Sequence, residues 1–183
     1  MKKQSITDVL NFWYAEDTAK KWFKSTPEFD QKIKQKFEHT WELAANNQLS
    51  DWHSSADGCL ALCIVLDQFP LNMFRGESIS FATEAKSIEV AKEAIVKGFD
   101  DQLDINKVSF LYMPLMHSEV LADQELCVEC FTKRNIQENL RFAKHHHDLI
   151  VEFGRFPHRN EMLGRTSTTE EIIYLKSKRS FTG

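Results

Sequence analysis

Residues 59–66 read CLALCIVL, a run in which every side chain is apolar. A helix on the surface of a domain keeps one polar face, so a helix that is apolar all round is enclosed by other elements. The run therefore predicts a central buried helix over residues 57–69, which Pro70 is expected to stop. Almost every other segment has helical period, and no run alternates convincingly as a strand does. The sequence predicts an all-α fold.

The segments around the central run carry the signals that begin and end helices. Ser5 with Asp8, and Thr168 with Glu171, have the spacing of capping boxes. Short loops between the helices predict antiparallel helix pairs, and since no clean repeat is visible, any tetratricopeptide-like stacking is degenerate in sequence. Pro114 is expected to break or kink its segment. Besides the helix that Ser5 opens, helices are expected over residues 28–47, 80–98, 106–117, 118–133 and 136–153, and from 168 to about Lys178.

Size, charge and cysteine content restrict the class of protein. A chain of 183 residues is expected to form a single domain over residues 1–183. The net charge is -4 and the basic residues are interleaved with acidic ones, which predicts no nucleic-acid partner. The first residues are too briefly apolar for a signal peptide or a membrane span, which predicts a cytoplasmic protein. The four cysteines are expected to be structural thiols. The oligomeric state is left open.

The segment FGRFPHRNEMLGR, residues 153–165, combines residue types that rarely occur together. It places three arginines, His158 and Asn160 among phenylalanines and other apolar residues. A guanidinium requires partners wherever water is excluded, while a plain surface loop would not need the apolar residues. The segment therefore predicts a buried or half-buried polar turn, in which a site could be built.

Two polar residues fall on apolar helix faces. At about 100° per residue, His146 lies within the apolar arc of its helix, and Asp67 shares a face with Leu60 and Ile64. His146 is either a core histidine bonded to a carbonyl or a site residue. Asp67 is expected to be buried and paired with an arginine, with Arg75 and those of the 153–165 turn as candidates. Both a structural and a ligand-facing role stay open for it.

A third polar group is HSE, residues 117–119, followed by Asp123. Ser118 is expected to be an N-cap, with Glu119 and Asp123 in the first turns of the next helix. His117 beside two carboxylates also suits a general-base pair. Because the spacing matches no zinc signature, no metal ligand and no cofactor are assigned. The chain has no Walker loop, no GxGxxG and no GxSxG, which argues against phosphate-loop and hydrolase-elbow chemistry.

Four blocks of the chain are distinctive: LDQFPLNMFRG (66–76), FAT (81–83), FLYMPLMHSEVLADQE (110–125) and HHHDLIVEFGRFPHRNEMLGRTSTTEE (145–171). Together they resemble one bacterial family, the domain-of-unknown-function family 924. The resemblance implies a tetratricopeptide-like all-helical fold and carries no established reaction, ligand or catalytic residue. Leu71 stands where the family usually has arginine, which weakens any anion site formed by the first block alone. Glu84 stands where the family often has aspartate, and His147 stands where arginine is common.

Three functional hypotheses follow. In the first, the protein is a binding module whose groove of arginines and histidines accepts an anionic small molecule or a peptide carboxylate. In the second, it is an enzyme that uses His117 or His146 as a base, oriented by Glu119 or Asp123. In the third, it is a protein–protein scaffold whose polar motifs are structural. The candidate ligand contacts are Asp67, Arg75, His117, Glu119, Asp123, His146, Arg155, His158, Arg159, Asn160 and Arg165.

The turn after residue 153 is expected to bring these groups together. Gly154 should end the preceding helix, and Pro157 should stiffen the exit. Arg155 and Arg159 are then expected to lie against Asp67 and the acidic groups of the HSE segment. Convergence of these side chains on one open pocket would favour ligand binding over a structural role.

Overall fold

The computed structural model describes residues 2–177 and Ser180, and these residues contain helices, turns and loops but no β-strand. The all-α prediction is confirmed, while the tetratricopeptide-like arrangement stays a prediction. No helix in this part of the chain is both long and apolar enough to cross a membrane. The helices are α1 (Ile6–Trp13), α2 (Glu16–Ala19), α3 (Pro27–Ala45), α4 (Ala56–Cys63), α5 (Phe69–Met73), α6 (Glu84–Val96), α7 (Ile105–His117), α8 (Leu121–Lys133), α9 (Gln137–Phe153) and α10 (Thr169–Leu175).

The described residues divide into two compact units. The first contains residues 2–75 and 79–114, and the second contains residues 76–78 and 115–177 with Ser180. The single-domain organisation predicted for residues 1–183 stays a prediction.

The core of the first unit is built on the apolar run, as predicted. Ile64 is fully buried and Leu66 is only 3 % exposed. The ring of Phe69 lies 4.4 Å from that of Phe37 and 5.6 Å from that of Trp13. These contacts hold α1 and α3 against the central helix.

The helix does not stop at Pro70, so that prediction is wrong. A π-helical turn, Ile64–Gln68, joins α4 to α5, which runs through Pro70. Proline has no N–H to donate within a helix, so a carbonyl one turn earlier needs another donor. The carbonyl of Leu66 accepts a hydrogen bond of 2.6 Å from the Thr83 hydroxyl. The π turn and this bond allow the helix to pass the proline.

Helix α7 contains Pro114 in its interior and is continuous from Ile105 to His117, so the segment is not broken there, while a kink at Pro114 stays a prediction. In the second unit, α8 packs against α9. Gly154 ends α9 in the left-handed conformation at φ 69°, as predicted. The capping boxes of Ser5 and Thr168 are both formed. Lys178, the predicted end of the last helix, lies outside the described residues.

The four cysteines are buried thiols, and none of them forms a disulfide. Burial raises the pKa of Cys59 to about 11, and it raises the pKa of Cys63 well above its usual value. Thiols with raised pKa values are poor nucleophiles and poor metal ligands at neutral pH. Their environment agrees with a packing role.

Candidate functional site

The candidate site lies in the second unit, where the turn after α9 folds onto its own core. Phe156 is 1 % exposed and belongs to a cluster with Leu149, Ile150 and Tyr174. A short 3-10 helix, Pro157–Arg159, follows it directly. Burial of one aromatic ring therefore anchors the turn and fixes where the next polar residues lie.

Glu119 binds this turn to the start of α8. Its carboxylate accepts a 2.7 Å bond from the backbone N–H of Phe156. Arg165 donates to both of its oxygens, at 2.6 and 2.9 Å, in a bidentate pair. Burial acts to raise the pKa of Glu119, but the bonds from Arg165 and Phe156 outweigh it and hold the pKa below its usual value. Glu119 is therefore a structural carboxylate within the described contacts.

Glu171 binds the same turn to the start of α10. Its side chain is 2 % exposed and accepts bonds from Arg155 at 2.6 and 2.8 Å. It also accepts the backbone N–H of Thr168 at 2.7 Å, as part of the capping box. Arg155, against the opposing effect of burial, lowers the pKa of Glu171 to about 2. Arg155 was expected against the HSE segment, and its hydrogen bonds go to Glu171 and the Thr166 carbonyl instead.

Asn160 joins the two ion pairs. It is 1 % exposed, accepts a bond from Arg165 at 2.9 Å and donates to Glu171 at 3.1 Å. One continuous network results, Glu119–Arg165–Asn160–Glu171–Arg155, which we call the carboxylate network. It fixes the loop that follows α9 at both ends.

The start of α8 is stabilised differently from the prediction. The N-cap is Val120, not Ser118, so that assignment is wrong. The Ser118 hydroxyl instead donates to Asp123 at 2.7 Å and accepts from the N–H of Val120. Gln124, which is fully buried, donates to the carbonyls of Met116 and Ser118. Asp123 and Gln124 thus hold the segment between α7 and α8.

Three histidines, His117, His146 and His158, form a histidine cluster near Phe156. The His146 ring lies 5.5 Å from that of Phe156 and 6.5 Å from that of His117. The His158 ring lies 5.6 Å from that of Phe156. The guanidinium of Arg159 lies 4.8 Å from the centre of the Phe156 ring and donates to the His117 carbonyl at 2.9 Å. The structure therefore brings four of the candidate residues together.

Two of these histidines are neutral at physiological pH. Burial lowers the pKa of His146 to about 3, although a bond to the Phe142 carbonyl opposes the shift. Since a carbonyl can only accept, Nδ1 of His146 carries the proton in that 2.8 Å bond. Burial, with Arg159 nearby, lowers the pKa of His158 to about 4. Strongly shifted histidines in a cluster are typical of functional sites, though they also occur in structural networks.

The acid–base pair of the enzyme hypothesis is not formed through Glu119. In the described part of the chain, its hydrogen bonds come from Arg165 and Phe156 and not from a histidine. Nor do the described residues arrange three or more His, Cys, Asp or Glu side chains in a way that could hold a metal ion.

Asp67 and Arg75 belong to the first unit. Asp67 is 4 % exposed, which confirms its predicted burial, and it accepts a bond from the Gln68 amide. Arg75 is not its partner, because it donates to Asp30 and Asn72. An arginine partner for Asp67 stays a prediction.

Sequence reasoning missed the role of Glu171. It was recognised only as the second member of a capping box. The additional signal lay in the half-buried arginines Arg155 and Arg165, since two guanidiniums require two carboxylates and Glu119 pairs with only one of them.

The lowered pKa of Glu171 predicts that the protein loses stability in acid. The pKa is about 2 in the folded protein against a usual value of 4.5. A lowered pKa stabilises the fold above the usual value, and this contribution is lost as pH falls through 4.5 towards 2. We expect a shallower loss in this window for Glu171→Gln than for the wild type, measured by urea unfolding at several pH values. Identical pH profiles would contradict the assignment.

These observations define an all-helical protein with a half-buried carboxylate network beside a histidine cluster. The chain belongs to a family of bacterial proteins of unknown function, DUF924, whose model matches residues 9–179, and this confirms the resemblance seen in the sequence. It is similar to a solved protein of unknown function, ATU0120 from Agrobacterium tumefaciens, at 34 % identity and a TM-score of 0.87. That match covers 93 % of this chain and 96 % of the other. No curated protein matches the chain.

Proposed function

We propose that this is a cytoplasmic binding module that takes an anionic group, of a small molecule or a peptide carboxylate, at the histidine cluster. The observation that carries the proposal is the grouping of His117, His146, His158 and Arg159 around Phe156. The guanidinium of Arg159 supplies charge and planar geometry for an anion. The single N–H of neutral His146 is already donated to the Phe142 carbonyl, so this ring lines the site and does not donate to the ligand. The four free cysteines suit a reducing compartment.

The carboxylate network supports this proposal by removing competing negative charge. Glu119 and Glu171 each hold an arginine in a bidentate pair. Neither carboxylate therefore presents an uncompensated charge to an incoming anion. The network also fixes the turn that carries His158 and Arg159, so that little conformational entropy remains to be lost on binding. In this assignment Arg155, Arg165 and Asn160 position the site and do not contact the ligand.

We expect loss of Arg159 to weaken anion binding. The probes are inorganic phosphate and a short peptide with a free or an amidated C-terminus, followed by NMR of the histidine rings. Arg159→Gln should weaken binding about tenfold or more, because it removes a charge-assisted hydrogen bond. Arg159→Lys should recover part of the loss. The control is Arg75→Gln, which alters an exposed ion pair in the first unit and should bind as the wild type does.

Two outcomes would contradict the proposal. The first is that neither probe shifts the signals of His117, His146 or His158. The second is that Arg159→Gln, with its fold verified by thermal unfolding, binds as tightly as the wild type. Since Arg159 is 5 % exposed, Arg159→Lys provides the test if the glutamine variant does not fold.

The second candidate function is a scaffold in which these polar groups only hold helices together. The bidentate pairs of Glu119 and Glu171 favour it, because such pairs are complete without a ligand. It predicts that variants of the network lower stability and that no anion binds at the histidine cluster. The NMR titration therefore distinguishes the two functions.

A further inference from the structure

The first unit contains a cavity of about 280 Å³ that involves none of the candidate residues above. Its volume lies just below the range of about 300–1,000 Å³ that is usual for ligand pockets, which suits a small metabolite. Its lining residues come from the end of α3, the 3-10 helix Ser50–Ser54, the central helix and α6.

The buried part of the cavity lining, which we call its floor, is aliphatic. Leu49 and Leu62 are each 1 % exposed, Val90 is 2 % exposed and Leu66 is 3 % exposed. Leu66 belongs to the π-helical turn Ile64–Gln68, a feature that is frequent at functional sites. This floor would contact the aliphatic part of a ligand.

The rim carries an ammonium group that is held in place. Lys86 donates to the carbonyl of Ala45 at 2.5 Å and to the side-chain oxygen of Asn47 at 2.8 Å. Both acceptors are neutral, and within the described part of the chain no carboxylate lies within 4.0 Å of this nitrogen. An ammonium has three N–H donors, so one remains for a ligand. Lys86 therefore offers an oriented positive charge at the edge of an apolar floor.

A second polar group on the rim is oriented by an ion-pair chain. Nδ1 of His53 lies 2.6 Å from Glu93, and Lys97 bonds the other oxygen of that carboxylate. A carboxylate can only accept, so Nδ1 carries a proton and the ring orientation is set. Over residues 2–177, Nε2 of His53 has no hydrogen-bond partner, which leaves it available to a ligand.

We propose that this cavity binds a small aliphatic monocarboxylate. The carboxylate accepts from Lys86 and, when both ring nitrogens of His53 carry a proton, from the Nε2–H of His53. The aliphatic chain lies on the leucine and valine floor. The charge of Glu93 is compensated by Lys97 and His53. Glu89, which is exposed on the rim, is the remaining carboxylate of the lining and opposes an anion weakly through solvent.

Hexanoate is the test ligand, compared with acetate, 1-hexanol and hexylamine by calorimetry on the full chain. We expect hexanoate to bind most tightly, because acetate lacks the aliphatic chain and the other two lack the carboxylate. Lys86→Gln should weaken hexanoate binding about tenfold. Glu89→Gln should tighten it about twofold, since a like charge is removed across solvent. Lys92→Gln, on the same helix but outside the cavity, should leave it unchanged.

A measurement on the wild type keeps the test valid if Lys86→Gln does not fold. Hexanoate should shift the methyl NMR signals of Leu49, Leu62, Leu66 and Val90 more than those of any other residues. The proposal is overturned if these methyl signals do not shift, or if Lys86→Gln binds hexanoate as the wild type does. It is also overturned if hexylamine binds more tightly than hexanoate and Glu89→Gln weakens the binding of hexylamine. None of these results depends on the histidine cluster of the second unit.

Discussion

Replacing Glu171 with alanine is expected to lower the free energy of unfolding by about 3 kcal/mol, because the change removes the acceptor for several donors at once. Arg155, Asn160 and the N–H of Thr168 all donate to this carboxylate, whose side chain is 2 % exposed. Asn160 is fully enclosed and cannot readily turn to water. This expected loss lies at the lower end of the range of free energies for breaking a buried ion pair, because Arg155 is 28 % exposed and can be rehydrated.

Glu170→Ala is the matched control for this prediction. Glu170 precedes Glu171 in the first turn of α10, but it is exposed and forms no ion pair within the part of the chain that the structure describes. Its removal should cost about 0.5 kcal/mol or less, the typical contribution of a carboxylate to the dipole of a helix N-terminus. Urea unfolding of both variants at pH 7 measures the difference. A loss below about 1 kcal/mol for Glu171→Ala would mean that the carboxylate network does not hold the turn.

The network also explains why the sequence could predict which arginines form ion pairs but not which carboxylates they bind. Three guanidiniums near aromatic residues predicted a buried or half-buried polar turn whose arginines require partners, and Arg155 and Arg165 do form ion pairs there. The partners lie far away in sequence, since Glu119 precedes Arg165 by 46 residues. Loop geometry determines which carboxylate meets which arginine, and no residue spacing encodes it. The expected contact of Arg155 with the HSE segment failed for this reason.

Local rules succeeded where one element determines the outcome. The apolar run was buried as predicted, and Gly154 ended α9 because it adopts a positive φ without steric cost. The local rules failed where a hydrogen bond to another side chain changed the outcome. Pro70 did not stop its helix because the Thr83 hydroxyl supplies the hydrogen-bond donor that proline lacks, and a π turn precedes the proline. Ser118 did not cap α8 because its hydroxyl bonds Asp123 instead.

Gly58→Ala is the second prediction with a large expected effect, and its sign is opposite to that of helix propensity. Alanine is favoured over glycine inside a helix by about 1 kcal/mol. At this position, however, a Cβ would lie 2.0 Å from the carbonyl oxygen of Trp52 and 2.9 Å from its carbonyl carbon. Backbone atoms cannot rotate away as a side chain does, and Trp52 is itself 3 % exposed. We expect a net loss of stability of about 3 kcal/mol.

The control for Gly58→Ala separates a steric clash from a backbone preference. Gly98 has a φ of 67°, and a Cβ there would meet no atom within 4 Å. Gly98→Ala should therefore cost only the left-handed backbone penalty, about 1 to 2 kcal/mol, and should not affect the cavity. Gly58→Ala should displace the 3-10 helix Ser50–Ser54, which carries His53, and weaken hexanoate binding as well. If Gly58→Ala proves as stable as the wild type, the close approach of α4 to Trp52 is wrong, and with it the position of His53 at the cavity rim.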